Sequence, residues 1–477
     1  LRKNQAMDWI RTLAGLYLTS LHILAGNPSL PTSHPATAVH FRRAEPQAKP
    51  APEVQAAIDR LDQATKSWLA DKRLEALRLA EGALPTLRTS APASDKLISC
   101  LNLLGKLNVQ QNPKAARPYF DEAFRLENSR PSINLVDTLI GFGNLAEDQG
   151  DFPAAEQWYS KARDAARGAK KTHAEGAAWV ELGNTHRKQF KYAQAIQDYK
   201  HARELASGRP MDIEDCDNNI GLAEFEEGDL TDARVDFSRV LDERKRLDIT
   251  GIQVANSLVN LSLVEFQYGD LVQSSSYLNE AEKIYRKVDP NSAVMAVILN
   301  DRGNVEMEKG DYVAAEADYR SALAMDRAVQ EKSTDVASDL MSVSHVLQEE
   351  ATLRPDARGS FAPPQARRKA DQDRQHLVDG ALRAVNGALE IVPGNPTALT
   401  LKAEVFGIEH QFEDAKRNLR LAIGAIEPAA PNSLDLANCY GDLGSIEAEN
   451  GELPAAEADF AKAYAVCSHA PNTLRGC

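Results

Sequence analysis

One pattern recurs along this chain at a nearly fixed interval, and it constrains the fold more than any other feature. Gly-Asp, or a close variant, is followed by an aromatic residue or Leu. Ala comes next at a fixed offset, an aromatic residue four positions later, and a small apolar residue three after that. The clearest copies run from Gly150 through Ala155 and Tyr159 to Ala162, and from Gly310 through Ala315 and Tyr319 to Ala322. Gly228 to Phe237, around Ala233, and Gly451 to Ala463, around Ala456 and Phe460, follow the same scheme. The first small residue of each copy serves as a marker. The markers are Ala76, Ala116, Ala155, Ala195, Ala233, Ser274, Ala315, Ala381, Ala415 and Ala456. Most neighbours are 38 to 41 residues apart; the step from Ala381 to Ala415 is 34, and that from Ala315 to Ala381 is 66.

Upstream of each marker lies a helical stretch with its own apolar face, such as Leu139, Phe142 and Gly143, then Trp179, Leu182 and Gly183, then Leu299 and Gly303. The glycine lets two helices approach closely. Gly-Asp ends the first helix, because glycine accepts the left-handed cap conformation at little cost. Pro153 and Pro454 fall in the first turn of the second helix, where a missing N–H leaves nothing unsatisfied. A single hairpin cannot bury its apolar face alone, so neighbours must stack. The expected fold is an all-α solenoid of about ten antiparallel helix hairpins.

These motifs resemble the tetratricopeptide repeat family over roughly residues 55–470. Pro393 matches the family's terminal proline. The spacing near 40 departs from the family's usual 34 and looks like the longer-helix repeats of kinesin light chain-like and many bacterial proteins. The resemblance implies a right-handed superhelical solenoid. The first two repeats match least well, since Ala80 replaces the aromatic residue in one and Pro118 interrupts the other.

The resemblance also implies that the first helices line a concave groove that binds protein or peptide segments. Carried onto this chain, the groove positions are Asp137, Ile140, Asn144 and Glu147; Val180, Asn184 and Arg187; Asp215, Asn218, Leu222 and Phe225; Asn256, Val259, Leu263 and Phe266; and Val297, Asn300, Asn304 and Met307. Asparagine forms helix poorly, so a row of it is informative, and its amide suits a peptide backbone. Phe225, Phe266 and Met307 would be apolar anchors. Arg187 is the only candidate for a family-type carboxylate clamp. The alternative is that Asn144, Asn184 and Asn304 bond only within the fold.

The rest of the chain divides around the repeats. Arg2, Lys3 and Arg11 precede an apolar run from Thr12 to Ala25 that fits a signal-peptide core or anchor, with Ala36-Thr37-Ala38 as a small-x-small pattern. Ile10, Leu13, Leu16, Tyr17, Leu21 and Leu24 equally fit an amphipathic helix. Residues 26–52 contain six prolines and read as a linker. Residues 53–350 hold repeats one to seven and the first helix of the eighth. Residues 351–374, with Arg367-Arg368-Lys369, read as a basic disordered insertion; 375–470 complete the eighth repeat and carry the last two; 471–477 form a tail. Export to the periplasm or membrane anchoring is the expected location, with the cytoplasm as alternative.

The net charge of −14 repels phosphate backbones and argues against nucleic-acid binding. Cys100, Cys216 and Cys439 fall at core-facing repeat positions and read as small buried hydrophobes; Cys467 and Cys477 could pair. The sequence contains no nucleophile elbow, P-loop, dinucleotide fingerprint or zinc pattern, so neither catalysis nor a cofactor or metal is expected. The chain reads as a non-catalytic interaction scaffold of bacterial type. The alternative is the sensory or regulatory part of a larger bacterial signalling protein. Without an evident polar capping helix after the last repeat, stacking on another copy is a third reading.

Overall fold

The structure, a computed structural model, describes residues 50–469 apart from 70–71, 93, 110–111, 128–132, 247–250, 289, 291, 355–363, 429 and 432. The leader at 1–25, the linker up to residue 49 and the tail with Cys477 lie outside the described residues.

Among the described residues there are twenty α-helices and no strand. They pair in chain order into ten hairpins. The first five are α1 (Pro52–Leu69) with α2 (Arg73–Ser90), α3 (Asp95–Asn108) with α4 (Pro113–Leu126), α5 (Ile133–Asp148) with α6 (Phe152–Gly168), α7 (Thr172–Lys188) with α8 (Tyr192–Leu205), and α9 (Pro210–Glu227) with α10 (Leu230–Arg246). The next three are α11 (Ile252–Tyr268) with α12 (Leu271–Val288), α13 (Ala293–Lys309) with α14 (Tyr312–Val329), and α15 (Thr334–Leu353) with α16 (Pro364–Ile391). The last two are α17 (Pro396–Ile408) with α18 (Phe412–Ile426), and α19 (Leu434–Glu449) with α20 (Leu453–His469). The described chain forms two compact units, 50–240 and 241–469, divided within α10.

Each of the ten marker residues falls on the second helix of a hairpin and is almost wholly buried, from 0% exposed at Ala76 to 3% at Ala456. The reason is steric. A Cβ added at Gly143 or Gly183 would collide with the ring of Tyr159 or Tyr199 on the paired helix, and one at Gly303 with the ring of Tyr319. A bare backbone on the first helix therefore receives a large ring from the second, and alanine beside that ring keeps the helices close. Tyr159, Tyr199 and Phe237 are all but completely buried.

The Gly-Asp dipeptide does two jobs. Gly150, Gly228, Gly269 and Gly310 take the left-handed conformation that closes the first helix, with φ between 74° and 92°. The aspartate that follows caps the second: Asp151 Oδ1 accepts from the Ala154 N–H and Asp311 Oδ1 from the Ala314 N–H, both at 3.1 Å. In α7–α8 and α17–α18 the left-handed place is held by Phe190 and His410 at φ 60° and 58°, which the Gly-Asp pattern alone does not reveal.

Two expectations are corrected. Pro118 does not interrupt its repeat: α4 runs through it, with Ala116, Phe120 and Ala123 buried. Pro85 likewise sits inside α2, where Ala80, Ala83, Leu84 and Leu87 are buried on both sides of it. Tertiary burial outweighs the lost hydrogen bond at both places. The 351–374 insertion is not wholly disordered either. Residues 351–353 finish α15, and from Pro364 onward the basic run Arg367-Arg368-Lys369 belongs to α16. Lys, Arg, Gln and Ala favour helix, and proline suits its first turn.

If this register is right, Ala315→Trp forces an indole into the α13–α14 crossing. It is expected to destabilise the protein by about 1–3 kcal/mol. Thermal denaturation followed by circular dichroism measures this, and an unchanged melting temperature would disprove the register.

Candidate partner-binding face

The groove positions all lie on first helices, and they differ in burial, with Asp215 exposed. Ile140, Arg187, Asn218, Leu222, Val259, Asn300 and Met307 are buried. Asp137, Asn144, Glu147, Val180, Asn184, Phe225, Asn256, Leu263, Phe266, Val297 and Asn304 are half-buried and retain solvent contact.

In the 50–240 unit, polar side chains tie successive first helices together. Asp137 on α5 accepts from Lys106 Nζ on α3 at 3.0 Å. Glu147 on α5 accepts from Thr185 Oγ1 at 3.1 Å and Lys188 Nζ at 2.7 Å, both on α7. Arg187 is paired with Glu226 on α9. That pairing engages the guanidinium within the fold. A buried guanidinium needs a carboxylate beside it, and Glu226 already supplies one.

The asparagines show a repeated local bond. The hydroxyl of Tyr159 donates to Asn144 Oδ1 at 2.6 Å, and that of Tyr199 to Asn184 Oδ1 at 2.8 Å. In the 241–469 unit, Tyr319 donates to Asn304 Oδ1 at 2.7 Å and Tyr285 to Asn256 Oδ1 at 2.5 Å. Both readings of these residues are thereby joined. The Oδ1 is consumed within the fold, which fixes the amide plane, while the Nδ2 groups of Asn144, Asn256 and Asn304 make no hydrogen bond among the described residues. Asn184 Nδ2 reaches Glu181 at 3.3 Å.

Two further positions in the 241–469 unit are not groove contacts. Asn300 bonds Asp339 on α15, and Met307 packs into a core with Leu340, Val343 and Leu347. Asp339, 1% exposed, accepts from Asn300, while its other oxygen is buried without a hydrogen-bond partner. Burial, and then the charge of Asp326, holds Asp339 protonated well above the usual carboxylate range.

The thiols of Cys100, Cys216 and Cys439 are buried, as expected, and burial pushes each up to about 12. Cys100 Sγ donates to the Ala80 carbonyl at 3.4 Å. Among the described residues no helix is long and apolar enough to cross a membrane, and no cluster of three His, Cys, Asp or Glu side chains is placed to hold a metal ion.

Within each unit, helix hairpins repeat in register and bury a face on the next, which places the protein in the class of helical-repeat solenoids. Residues 134–207 match the sequence profile of the tetratricopeptide repeat. Within those residues the chain carries the tetratricopeptide repeat pattern, and the same helix hairpin recurs through the other described residues. Its fold is similar to that of the apo form of RapI, at 12% identity, with 77% of this chain and 97% of that one covered and a TM-score of 0.52. Lower likenesses include the human IFIT1 dimer with m7Gppp-AAAA, at 13% identity, 79% and 78% coverage and a TM-score of 0.49. Another is the apo form of the quorum sensor NprR from B. thuringiensis, at 12% identity, 86% and 97% coverage and 0.47. No curated protein matches the chain in sequence.

The raised carboxyl of Asp339 has a consequence for stability. An acid whose pKa is raised in the fold binds a proton that the unfolded chain has already released. Its contribution is present at low pH and is lost as pH rises from the ordinary carboxylate range through the raised value. Asp339→Asn keeps an acceptor for Asn300 and offers Asp326 a permanent N–H. The variant is expected to melt above the parent at pH 8, by about 2–4 °C for each kcal/mol recovered. The gap should close toward pH 5. A gap independent of pH would show that Asp339 is not held protonated in the fold.

Proposed function

We propose that this protein is a non-catalytic scaffold that binds segments of other proteins along the inner faces of its first helices. The observation that carries this reading is the set of asparagines whose Oδ1 is locked by a tyrosine hydroxyl and whose Nδ2 is left as an oriented donor. A donor fixed before binding costs little entropy to use, and it suits the carbonyls of an extended peptide. Leu263 and Phe266 on α11 and Val297 on α13 keep partly exposed apolar surface in the same unit as Asn256 and Asn304. That combination fits a bound segment held by backbone hydrogen bonds and anchored by apolar side chains. The non-catalytic part of the proposal draws on the thiols: burial pushes them up, opposite to the activation a nucleophile requires.

The test is a crosslinking pull-down from the native cell with the parent, with Leu263→Ala/Phe266→Ala/Asn304→Ala, and with Tyr319→Phe. Circular dichroism checks each fold. Partners recovered by the parent are expected to be lost by the triple variant. They should be reduced by Tyr319→Phe, which removes only the hydroxyl that orients Asn304. Identical partner lists for all three would refute binding on this face.

A further inference from the structure

The second helix α20 is built like the others, but the face that stacks elsewhere in the chain is open on it. The ring of Phe460 lies against Gly444 of α19, as that of Tyr319 lies against Gly303. At this ring position Tyr159, Tyr199, Phe237, Tyr319, Val385 and Leu419 are at most 3% exposed, whereas Phe460 is 44% exposed. Four residues on, Leu84, Leu241, Leu323 and Ile423 are 6% to 8% exposed, whereas Tyr464 is 77% exposed. At the start of the helix Phe152, Tyr192, Tyr312 and Phe412 are half-buried, and Leu453 is 66% exposed. The cause is the next hairpin. Leu323 shares a core with Val336 and Leu340 of α15, and Ile423 shares one with Leu436 and Tyr440 of α19. No described helix follows α20.

The open face is therefore an unfilled copy of the interface that joins one hairpin to the next. Its exposed residues Leu453, Glu457, Phe460 and Tyr464 recur at intervals of four, three and four. That is the spacing of a seam along which one helix packs on another. The first helix of the chain does not offer the matching surface. Counted back from Ser344 of α15 and Gly444 of α19, the residues that meet the preceding hairpin are Val336 and Leu340, then Leu436 and Tyr440. Counted back from Ala64 of α1, the same places hold Ala56 and Arg60, both exposed. A head-to-tail stack would set Phe460 and Tyr464 against a surface without the large apolar side chains that cover these positions elsewhere. A second α20 carries such side chains and presents the same seam in reverse.

We propose that α20 is the interface of a two-fold symmetric dimer, in which the α20 helices of two copies of this chain pack antiparallel along Leu453, Glu457, Phe460 and Tyr464. A two-fold contact uses the same patch on both copies, so the patch must be complementary to itself. This one is. An axis between Phe460 and Ala461 leaves Glu457 and Tyr464 equally far from the midpoint along the helix, about 5 Å on either side. Glu457 of one copy then faces Tyr464 of the other, and the tyrosine hydroxyl donates to the carboxylate, once on each side of the axis. The seam's single charged residue is satisfied in this way, and the apolar residues cover one another. The contact is small beside a standard protein interface, so monomer and dimer exchange at micromolar concentration. Nothing in it depends on the scaffold reading above.

Sedimentation velocity of the full chain, from low to high micromolar concentration in about 0.15 M salt, where exposed charges are screened, reads the assembly. The parent is expected to pass from monomer to dimer and to stop there. Tyr464→Glu sets two carboxylates against each other across the axis and should raise the dissociation constant about tenfold or more. Adding Glu457→Lys to Tyr464→Glu restores opposite charges and should recover most of that loss. Val313→Glu, at an exposed apolar residue of α14 outside the seam, should leave the equilibrium unchanged. Tyr464 and Glu457 are exposed in the single copy, so circular dichroism should show the variants folded. A monomer at every concentration, with the face covered by another partner or by the chain's own terminal residues, overturns the proposal. Open-ended growth, the mark of head-to-tail stacking, overturns it too. So does a dimer that survives Tyr464→Glu, or one that the charge swap fails to restore.

Discussion

A large ring lying on the bare backbone of a glycine sets the geometry of the best-formed hairpins. Tyr159 on Gly143, Tyr199 on Gly183 and Tyr319 on Gly303 each span sixteen residues, from the first helix to the second. The ring fixes which turn of one helix meets which turn of the other. It also explains why the residue after the glycine is so often asparagine. The edge of a tyrosine seated on the glycine ends in a hydroxyl, and that hydroxyl is buried enough to need an acceptor. The next side chain along the first helix is within reach and supplies it. One packing contact therefore dictates a hydrogen bond, and the bond dictates which way an amide faces the inner row.

Much of this was legible in the sequence because the repeat writes its own contacts at fixed offsets. All ten markers, including the poorly matching Ala76 and Ala116, prove to be buried crossing residues on second helices. What the repeat offsets do not show is burial around a single residue and pairing between hairpins. Pro118 looks like a breaker until Ala116, Phe120 and Ala123 are seen buried around it. Arg187 looks like a free groove cation until Glu226, thirty-nine residues later, is placed against it. Asn300 likewise meets Asp339 at the same separation. Within-hairpin offsets are constant, so they can be read by aligning the chain on itself. Pairings between hairpins depend on the spacing of the particular pair, which varies from 34 to 41 even without the insertion. Phe190 and His410 in the left-handed turn position fall into the same category. Nothing local marks them as substitutes for glycine, and only the repeat register brings them to that place.

The polar links between first helices also bear on specificity. A buried ion pair such as Arg187–Glu226 contributes little net stability over an apolar pair of equal size, but breaking it leaves a charge without a partner. Stacking by apolar surface alone would tolerate a slip along the helix axis. The Glu147 links to Thr185 and Lys188, with the Arg187 pair beside them, tolerate no slip, because each would lose its partner together. These residues occupy groove positions and are spent on register. What remains for a partner is the set that register does not use: the amide hydrogens of the tyrosine-locked asparagines and the half-buried apolar side chains between them.

That division of labour gives the 241–469 unit its polarity. Where the second helix brings a tyrosine, the inner row carries a neutral, oriented amide. Where it brings Val385 or Leu419, the same row carries His345 or Glu404 with nothing to orient or neutralise it. Aliphatic packing at the ring position is fully adequate for the core, since Val385 and Leu419 are as buried as the tyrosines they replace. Core stability therefore does not explain the titratable residues opposite them. Glu404 keeps part of its surface in contact with water, so its polar end costs less there than full burial would.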